Sequence, residues 1–177
     1  GDGGIRRIQT NSVNPSFIKG VQASYSAAMG YGVYSRWASQ EDANSRKAVG
    51  FVDDVPASAP NSLPYTNEGV LVMQDTAVMA NYMLTTIVGG ARVDVDSGVA
   101  IASTEFHQTE LRTAPTKVAT LTIDGALRAT SAAANGPLAA TKLRKVVYTD
   151  NIGAAVNSRL DIDCFKPTAS RNTAVTP

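Results

Sequence analysis

From Gly69 onward in this 177-residue chain, short apolar runs and strict apolar–polar alternation predict strands rather than helices. Gly69-Val70-Leu71-Val72-Met73 is continuously apolar, which fits a strand buried on both faces. Tyr82 to Val88 is β-branched and aromatic at strand length, and Gly89-Gly90 after it marks a turn or bulge. Ala91, Val93 and Val95 alternate with Arg92 and Asp94. Asp96-Ser97-Gly98 then supplies turn chemistry, so Val99 to Phe106 is predicted to return antiparallel and residues 91–106 read as the best hairpin. Ala119, Leu121 and Ile123 alternate with Thr120, Thr122 and Asp124, closed by Asp124-Gly125, with Leu127 to Ser131 returning. Lys142 to Tyr148 and Arg159 to Phe165 make two more strands, the second with Leu160, Ile162 and Cys164 on one side.

The first third reads differently. Residues 1–14 are polar and aperiodic, which predicts a flexible arm. Asn14-Pro15 is a helix start signal; Phe17, Val21, Tyr25 and Ala28 then share one helical face, and Gly30 is placed to end it. An extended reading of that stretch stays open, because Gly20 interrupts it. Ser39 to Ala48 is a second helical candidate, with Glu41 and Asp42 in its first turn and Arg46 and Lys47 in its last. Three prolines between Phe51 and Pro64 exclude a helix or central strand there, so residues 52–66 are a Pro-rich loop. Residues 168–177 read as a loose polar tail. The sum is one domain over residues 15–167, mainly β with minor α. Its expected form is an antiparallel sheet, sandwich or barrel, preceded by an N-terminal helix and loop region.

Composition narrows the function classes. Ala, Thr, Ser and Gly together supply 71 residues, while charged residues are 18 % and aromatics 6 %. One cysteine, Cys164, forms no intrachain disulfide and, with one histidine, builds no Cys-rich zinc site. A net charge of +1 gives no global field toward nucleic acid or anionic lipid. No stretch approaches the ~20 apolar residues of a membrane span. Gly1-Asp2-Gly3-Gly4 before Arg6 and Arg7 has no apolar core of a secretory signal.

Candidate chemistry is sparse. Asp94-Val95-Asp96-Ser97-Gly98, with Glu105 at the twelfth position, has the opening of a calcium loop, but its flanking strands favour a polar strand end feeding a turn. Asp161 and Asp163 beside Arg159 read as a solvated strand face. His107 and Cys164 are the one possible thiol–imidazole pair, yet Cys164 shares a strand face with Leu160 and Ile162, which reads as core packing. Glu105 and Glu110 are carboxylates that only folding can place together. Lys142, Arg144 and Lys145 offer a weak nucleic-acid contact or a charge-protected edge strand. No catalytic, metal or cofactor residue is assigned.

In overall character, rich in small residues with polar ends and many short strands, the chain resembles bacteriophage coat, decoration and tail proteins. That resemblance implies a non-enzymatic virion subunit assembled in the host cytoplasm, with copies of itself and other virion proteins as partners, and no membrane. The alternatives are a surface pilus or adhesin-type β module, separable by a signal peptide in the gene, and an enzyme domain whose site is assembled from scattered residues.

Overall fold

The computed structural model describes residues 6–10, 16–19, 25–40, 45–53, 67–76, 79–101, 105–138, 140–151 and 158–169. Thirteen strands occur among them. They are β1 (Arg6–Thr10), β2 (Ser16–Lys19), β3 (Tyr25–Ser26), β4 (Tyr31–Gln40), β5 (Ser45–Val52), β6 (Glu68–Asp75) and β7 (Asn81–Val88). Then follow β8 (Ala91–Ala100), β9 (Phe106–Thr113), β10 (Ala119–Ile123), β11 (Ala126–Thr130), β12 (Lys142–Asn151) and β13 (Ser158–Ala169). Two antiparallel sheets result. The six-stranded sheet runs β1-β13-β4-β9-β10-β11, and the seven-stranded sheet runs β2-β12-β5-β6-β7-β8, with β3 also on β12.

The sheets close on a core of alternating side chains. From the six-stranded sheet come Val33, Trp37, Leu111, Leu121, Ile123, Leu160 and Ile162; from the seven-stranded sheet Val49, Phe51, Val70, Val72, Tyr82 and Leu84. Trp37 meets Tyr82 edge-on with ring centroids 5.3 Å apart, and Phe51 lies 4.8 Å from Tyr31 and from Tyr25. Trp37 cannot be buried without an acceptor for its indole N–H. Thr109 Oγ1 supplies it at 3.1 Å and also bonds Ser35 Oγ at 2.7 Å.

β5 and β6 are buried along their whole length, which accounts for the continuous apolar run of β6 in the sequence. Edge strand β8 alternates toward solvent and carries Arg92, Asp94 and Asp96, charges that discourage pairing with another chain.

The mainly β architecture of antiparallel sheets is as the sequence predicts; among the described residues the two predicted helices are not found. Within Asn14 to Gly30 the described residues form β2, β3 and a three-residue 3-10 turn at Ala27–Met29, while 14–15 and 20–24 lie outside them. Tertiary pairing decides this stretch: Phe17 sits opposite Tyr148 and Tyr25 opposite Leu143 on β12. The second helix is replaced by the end of β4 and the start of β5, with 41–44 outside the described residues. The hairpin also moves. β8 continues through Asp96-Ser97-Gly98, and the turn is Gly89-Gly90, with φ 57° and 78°, joining β7 to β8. Gly98, at φ 67°, lies in β8 near a register shift opposite Asn81–Met83. The strand after it is β9, reaching Thr113, and it pairs with β4 and β10. Within the stretches read as arm and tail, Arg6–Thr10 pairs β13 and β13 extends to Ala169; residues 54–66 of the Pro-rich loop lie outside the described set.

Candidate functional site

The outer face of the seven-stranded sheet is defined by four rows of directly opposed residues. Asp150, Arg46 and Asp75 form the first. Tyr148, Ala48, Met73, Met83 and Asp96 form the second, and Val146, Gly50, Leu71, Thr85 and Asp94 the third. Arg144, Val52, Gly69, Ile87 and Arg92 form the fourth. The middle of this face is apolar and buried: Ala48, Val52, Leu71, Met73, Ile87, Val146 and Tyr148 make a second cluster, separate from the inter-sheet core, with Met79 against it. Both faces of the sheet therefore carry buried apolar side chains.

Polar groups bracket that cluster at its two ends. On the β12 side Arg46 binds Asp75 Oδ2 through Nε at 2.9 Å and Nη2 at 2.8 Å, and Tyr148 Oη donates to Asp150 Oδ2 at 2.9 Å. Arg46, Asp75, Tyr148 and Asp150 are all buried. A buried guanidinium is retained only when paired, and Asp75 pairs it; Nη1 of Arg46 is buried with no hydrogen-bonding partner.

The β7–β8 side is open. Asp94 and Asp96 are exposed, and Asn81 and Arg92 half-buried. Asn81 Nδ2 donates to both oxygens of Asp96 at 3.0 Å. Thr85 Oγ1 donates to Asp94 Oδ1 at 2.6 Å, and Arg92 Nε to both Asp94 oxygens at 2.9 Å. The Gly98 backbone N–H donates to Asp96 Oδ1 at 2.7 Å, and this bond, with that from Asn81, holds the Asp96 carboxyl below its ordinary range. The result is a band of fixed, planar polar groups along the edge of an apolar sheet face.

The other sequence candidates fall elsewhere. Asp94, Asp96 and Glu105 form no metal cluster: among the described residues no group of three or more His, Cys, Asp or Glu side chains is placed to hold an ion. His107 and Cys164 lie on opposite faces of the six-stranded sheet with β4 between them. His107 stands opposite Trp37 on the core side, its ring 5.4 Å from Tyr82 and Nδ1 2.6 Å from Asp124 Oδ2. Cys164 is displaced from the Leu160–Ile162 face by a bulge at Asp163, which sets it opposite Arg36 on the outer side. The expected core packing of Cys164 is thereby corrected; Phe165 takes the inward place. Asp161 is buried rather than solvated. Burial would raise its carboxyl, but Arg159 and Arg7, hydrogen-bonded to it, outweigh that and hold it low. Asp163 binds Arg36 at 2.6 Å, and Glu110 is paired with Arg112. Lys142, Arg144 and Lys145 sit on β12, an interior strand between β2 and β5 rather than an edge. Arg144 and Lys145 belong to different rows and opposite faces, so the three do not form one basic patch.

Sequence reasoning missed Arg46, Asp75, Tyr148 and Asp150 as a group. The one local signal was a charged residue at the last outer position of each buried strand; their meeting depends on pairings between segments far apart in the chain.

No known family matches the chain, and no curated protein matches it. Solved structures do share its fold. A protein of unknown function from Shewanella oneidensis MR-1 superposes with a TM-score of 0.68 at 12 % identity, over 100 % of this chain and 74 % of that one. The carbohydrate binding module CBM66 from Bacillus subtilis gives 0.55 at 10 % identity, over 90 % and 84 % of the two chains. The alginate lyase A1-II′, of polysaccharide lyase family 7, gives 0.58 at 10 % identity, over 88 % and 71 %. The fold is therefore the two-sheet jelly-roll β-sandwich that these structures share.

This overturns the expectation of a non-enzymatic virion or capsid subunit. Small-residue composition describes turns and polar strand faces of many β proteins and carries no information about what they bind. The expectation that the chain is not an enzyme is corrected with it, since enzymes are built on this sandwich.

Proposed function

We propose that this chain is a carbohydrate-recognition β-sandwich, holding a glycan against the outer face of the seven-stranded sheet along β7 and β8. The observation that carries this reading is the pair of exposed carboxylates Asp94 and Asp96, held in place by Asn81, Arg92 and the buried Thr85 at the edge of an apolar face. Vicinal sugar hydroxyls need acceptors and donors at fixed spacing. Carboxylates pinned by an amide, a hydroxyl and a guanidinium keep spare lone pairs without having to be ordered on binding. Half-buried Met79 and Met83 offer flexible apolar surface to the C–H face of a sugar ring. The same-fold carbohydrate binding module and alginate lyases support a glycan as ligand.

Titration calorimetry of the chain with alginate, xylan and a neutral β-glucan tests this. At least one polysaccharide is expected to bind, with affinity reduced tenfold or more in the Asn81→Ala/Asp96→Ala double variant. Binding by none of the three, or unchanged binding by the double variant, removes the reading. Because Asp96 is held low by Gly98 and Asn81, binding should persist at pH values below the ordinary carboxylate range of about 4 and fail as the pH drops through the lowered value.

A second reading is a polysaccharide lyase, favoured by the Tyr148–Asp150 and Arg46–Asp75 groups on the same face. Elimination from a uronate needs a base for the proton beside the carboxylate and a cation to stabilise the charge that develops, and tyrosine with arginine supplies those types. It ranks second because that row is buried while Asp94 and Asp96 are exposed. Ultraviolet absorbance of an unsaturated product from alginate, abolished by Tyr148→Phe, is its readout.

A further inference from the structure

The outer face of the six-stranded sheet carries its charges in a regular order. Its rows cross the sheet through Gln40, Ala38, Arg36, Tyr34 and Gly32, every second residue of β4, while Trp37 and Val33 between them lie in the core. Each of these rows holds one cation. Arg159 stands opposite Gln40, Arg7 lies in the row of Ala38 beyond Asp161, Arg36 is on β4 itself, Lys166 is opposite Tyr34, and Arg112 is opposite Gly32. Successive rows are two residues apart along the strands, so the positive charges recur about every 7 Å, spread over β1, β13, β4 and β9.

Among the described residues of these rows, three carboxylates answer the five cations: Asp161, Asp163 and Glu110. Arg7 and Arg159 share the buried Asp161, and Lys166 is paired with none of them. Asp124, at the rim, has Arg128 beside it. The face is left positive, and its cations are within reach of a ligand. Side-chain exposure is 70 % at Arg112, 52 % at Arg7 and 43 % at Arg36, and Lys166 is exposed.

Pairing also orders these guanidiniums without using them up. Arg7 donates to Asp161 Oδ1 through Nε at 3.0 Å; Arg36 donates to Asp163 Oδ2 through Nη1 at 2.6 Å and lies 4.9 Å over the Phe106 ring. The other N–H groups of each planar fork are left for an acceptor such as a carboxylate or sulfate. Side chains already held in place lose less entropy when that acceptor binds. In the middle of the face, half-buried Tyr34 stands between Lys166 and Glu110 and offers a ring to the C–H face of a sugar. A nucleic acid strand would need several free aromatic rings for successive bases. Here Phe106 is covered by Arg36, which leaves Tyr34 as the stacking surface of these rows. On the other sheet the exposed charges of β8 are Asp94 and Asp96, which repel a polyanion.

We propose that the outer face of the six-stranded sheet binds a linear acidic polysaccharide, its repeating carboxylates or sulfates met by the one-per-row cations from Arg159 to Arg112. This surface stands on its own observations and does not depend on the β7–β8 reading.

The test is titration calorimetry of the full chain with polygalacturonate and with dextran sulfate, with dextran as the uncharged control. At least one of the two polyanions should bind, more weakly as salt is added, and the one that binds identifies the group recognised. Dextran should not bind. Lys166→Glu, a change at an exposed and unpaired residue, should weaken binding about fivefold. Lys142→Glu makes the same charge change at an exposed residue of β12, off this face, and should alter it less than twofold. Asn81→Ala/Asp96→Ala should leave it intact. Binding of neither polyanion overturns the proposal, as does an equal effect of Lys166→Glu and Lys142→Glu, which would mean that net charge alone is responsible. Equal or tighter binding of an oligothymidylate strand of matched charge overturns it in favour of nucleic acid. Loss of polyanion binding in Asn81→Ala/Asp96→Ala but not in Lys166→Glu overturns it in favour of the β7–β8 face. Binding lost in Lys166→Glu and kept in Asn81→Ala/Asp96→Ala supports it, whatever the β7–β8 face does with neutral glycans.

Discussion

Replacing Thr109 by Val tests how the sandwich tolerates its single tryptophan. Thr109 Oγ1 accepts the Trp37 indole N–H at 3.1 Å and shares a hydrogen with Ser35 Oγ at 2.7 Å, in a region where Trp37 and Ser35 have no exposed surface. Valine keeps the volume and the β-branched shape but removes the acceptor. The indole N–H then has no protein acceptor at a site closed to water, a penalty of about 1–3 kcal/mol. The Ser35 hydroxyl can rotate toward another acceptor, so its loss is smaller, and the added methyl returns under about 1 kcal/mol of apolar burial. The net expectation is about 2 kcal/mol of destabilisation, near 4–8 °C in melting temperature for a domain this size. Because Trp37 is the only tryptophan, urea unfolding followed by its fluorescence reads the site directly. Ser35→Ala combined with Thr109→Val should cost little beyond Thr109→Val alone, since the two hydroxyls share one hydrogen bond. A loss below about 0.5 kcal/mol for Thr109→Val would refute the argument that the buried indole depends on this acceptor.

Two further outcomes follow from the same geometry. Asp161 is held below the ordinary carboxylate range by Arg159 and Arg7, so its contribution to stability is present above the unfolded-state value near pH 4 and is lost as pH falls through the lowered folded value. Asp161→Asn should therefore flatten the acid limb of the stability profile; an unchanged limb contradicts the pairing. Cys164, turned outward by the bulge, should react with a thiol reagent in the native state, and Cys164→Ser should cost under about 0.5 kcal/mol. Labelling that requires unfolding would return it to the core.

Local turn chemistry was legible where one reading satisfied it. Asp124-Gly125 has φ 51° and 80°, and it joins β10 to β11 as its sequence predicts. Gly89-Gly90 and Asp96-Ser97-Gly98 were both competent turns, and nothing local chose between them. The sandwich chose, because turning at Gly89 lets β8 lie along the whole of β7 with Val95 toward the core. Likewise the period-2 pattern of Leu160 and Ile162 extends to Cys164 on paper, while one extra residue at Asp163 reverses every side chain after it.

The alternation of apolar and polar residues by itself determined that this chain is β-rich, and it located strands β6, β7, β10, β12 and β13, because strand periodicity is a property of consecutive residues. It could not determine which strands pair. Arg46, Asp75 and Asp150 meet in one row, and Tyr31 stands opposite Thr113 in the core, through contacts between segments tens of residues apart. Only the tertiary structure decided those neighbours, since the energy that selects them comes from burying one sheet against the other and is written in no single stretch of sequence.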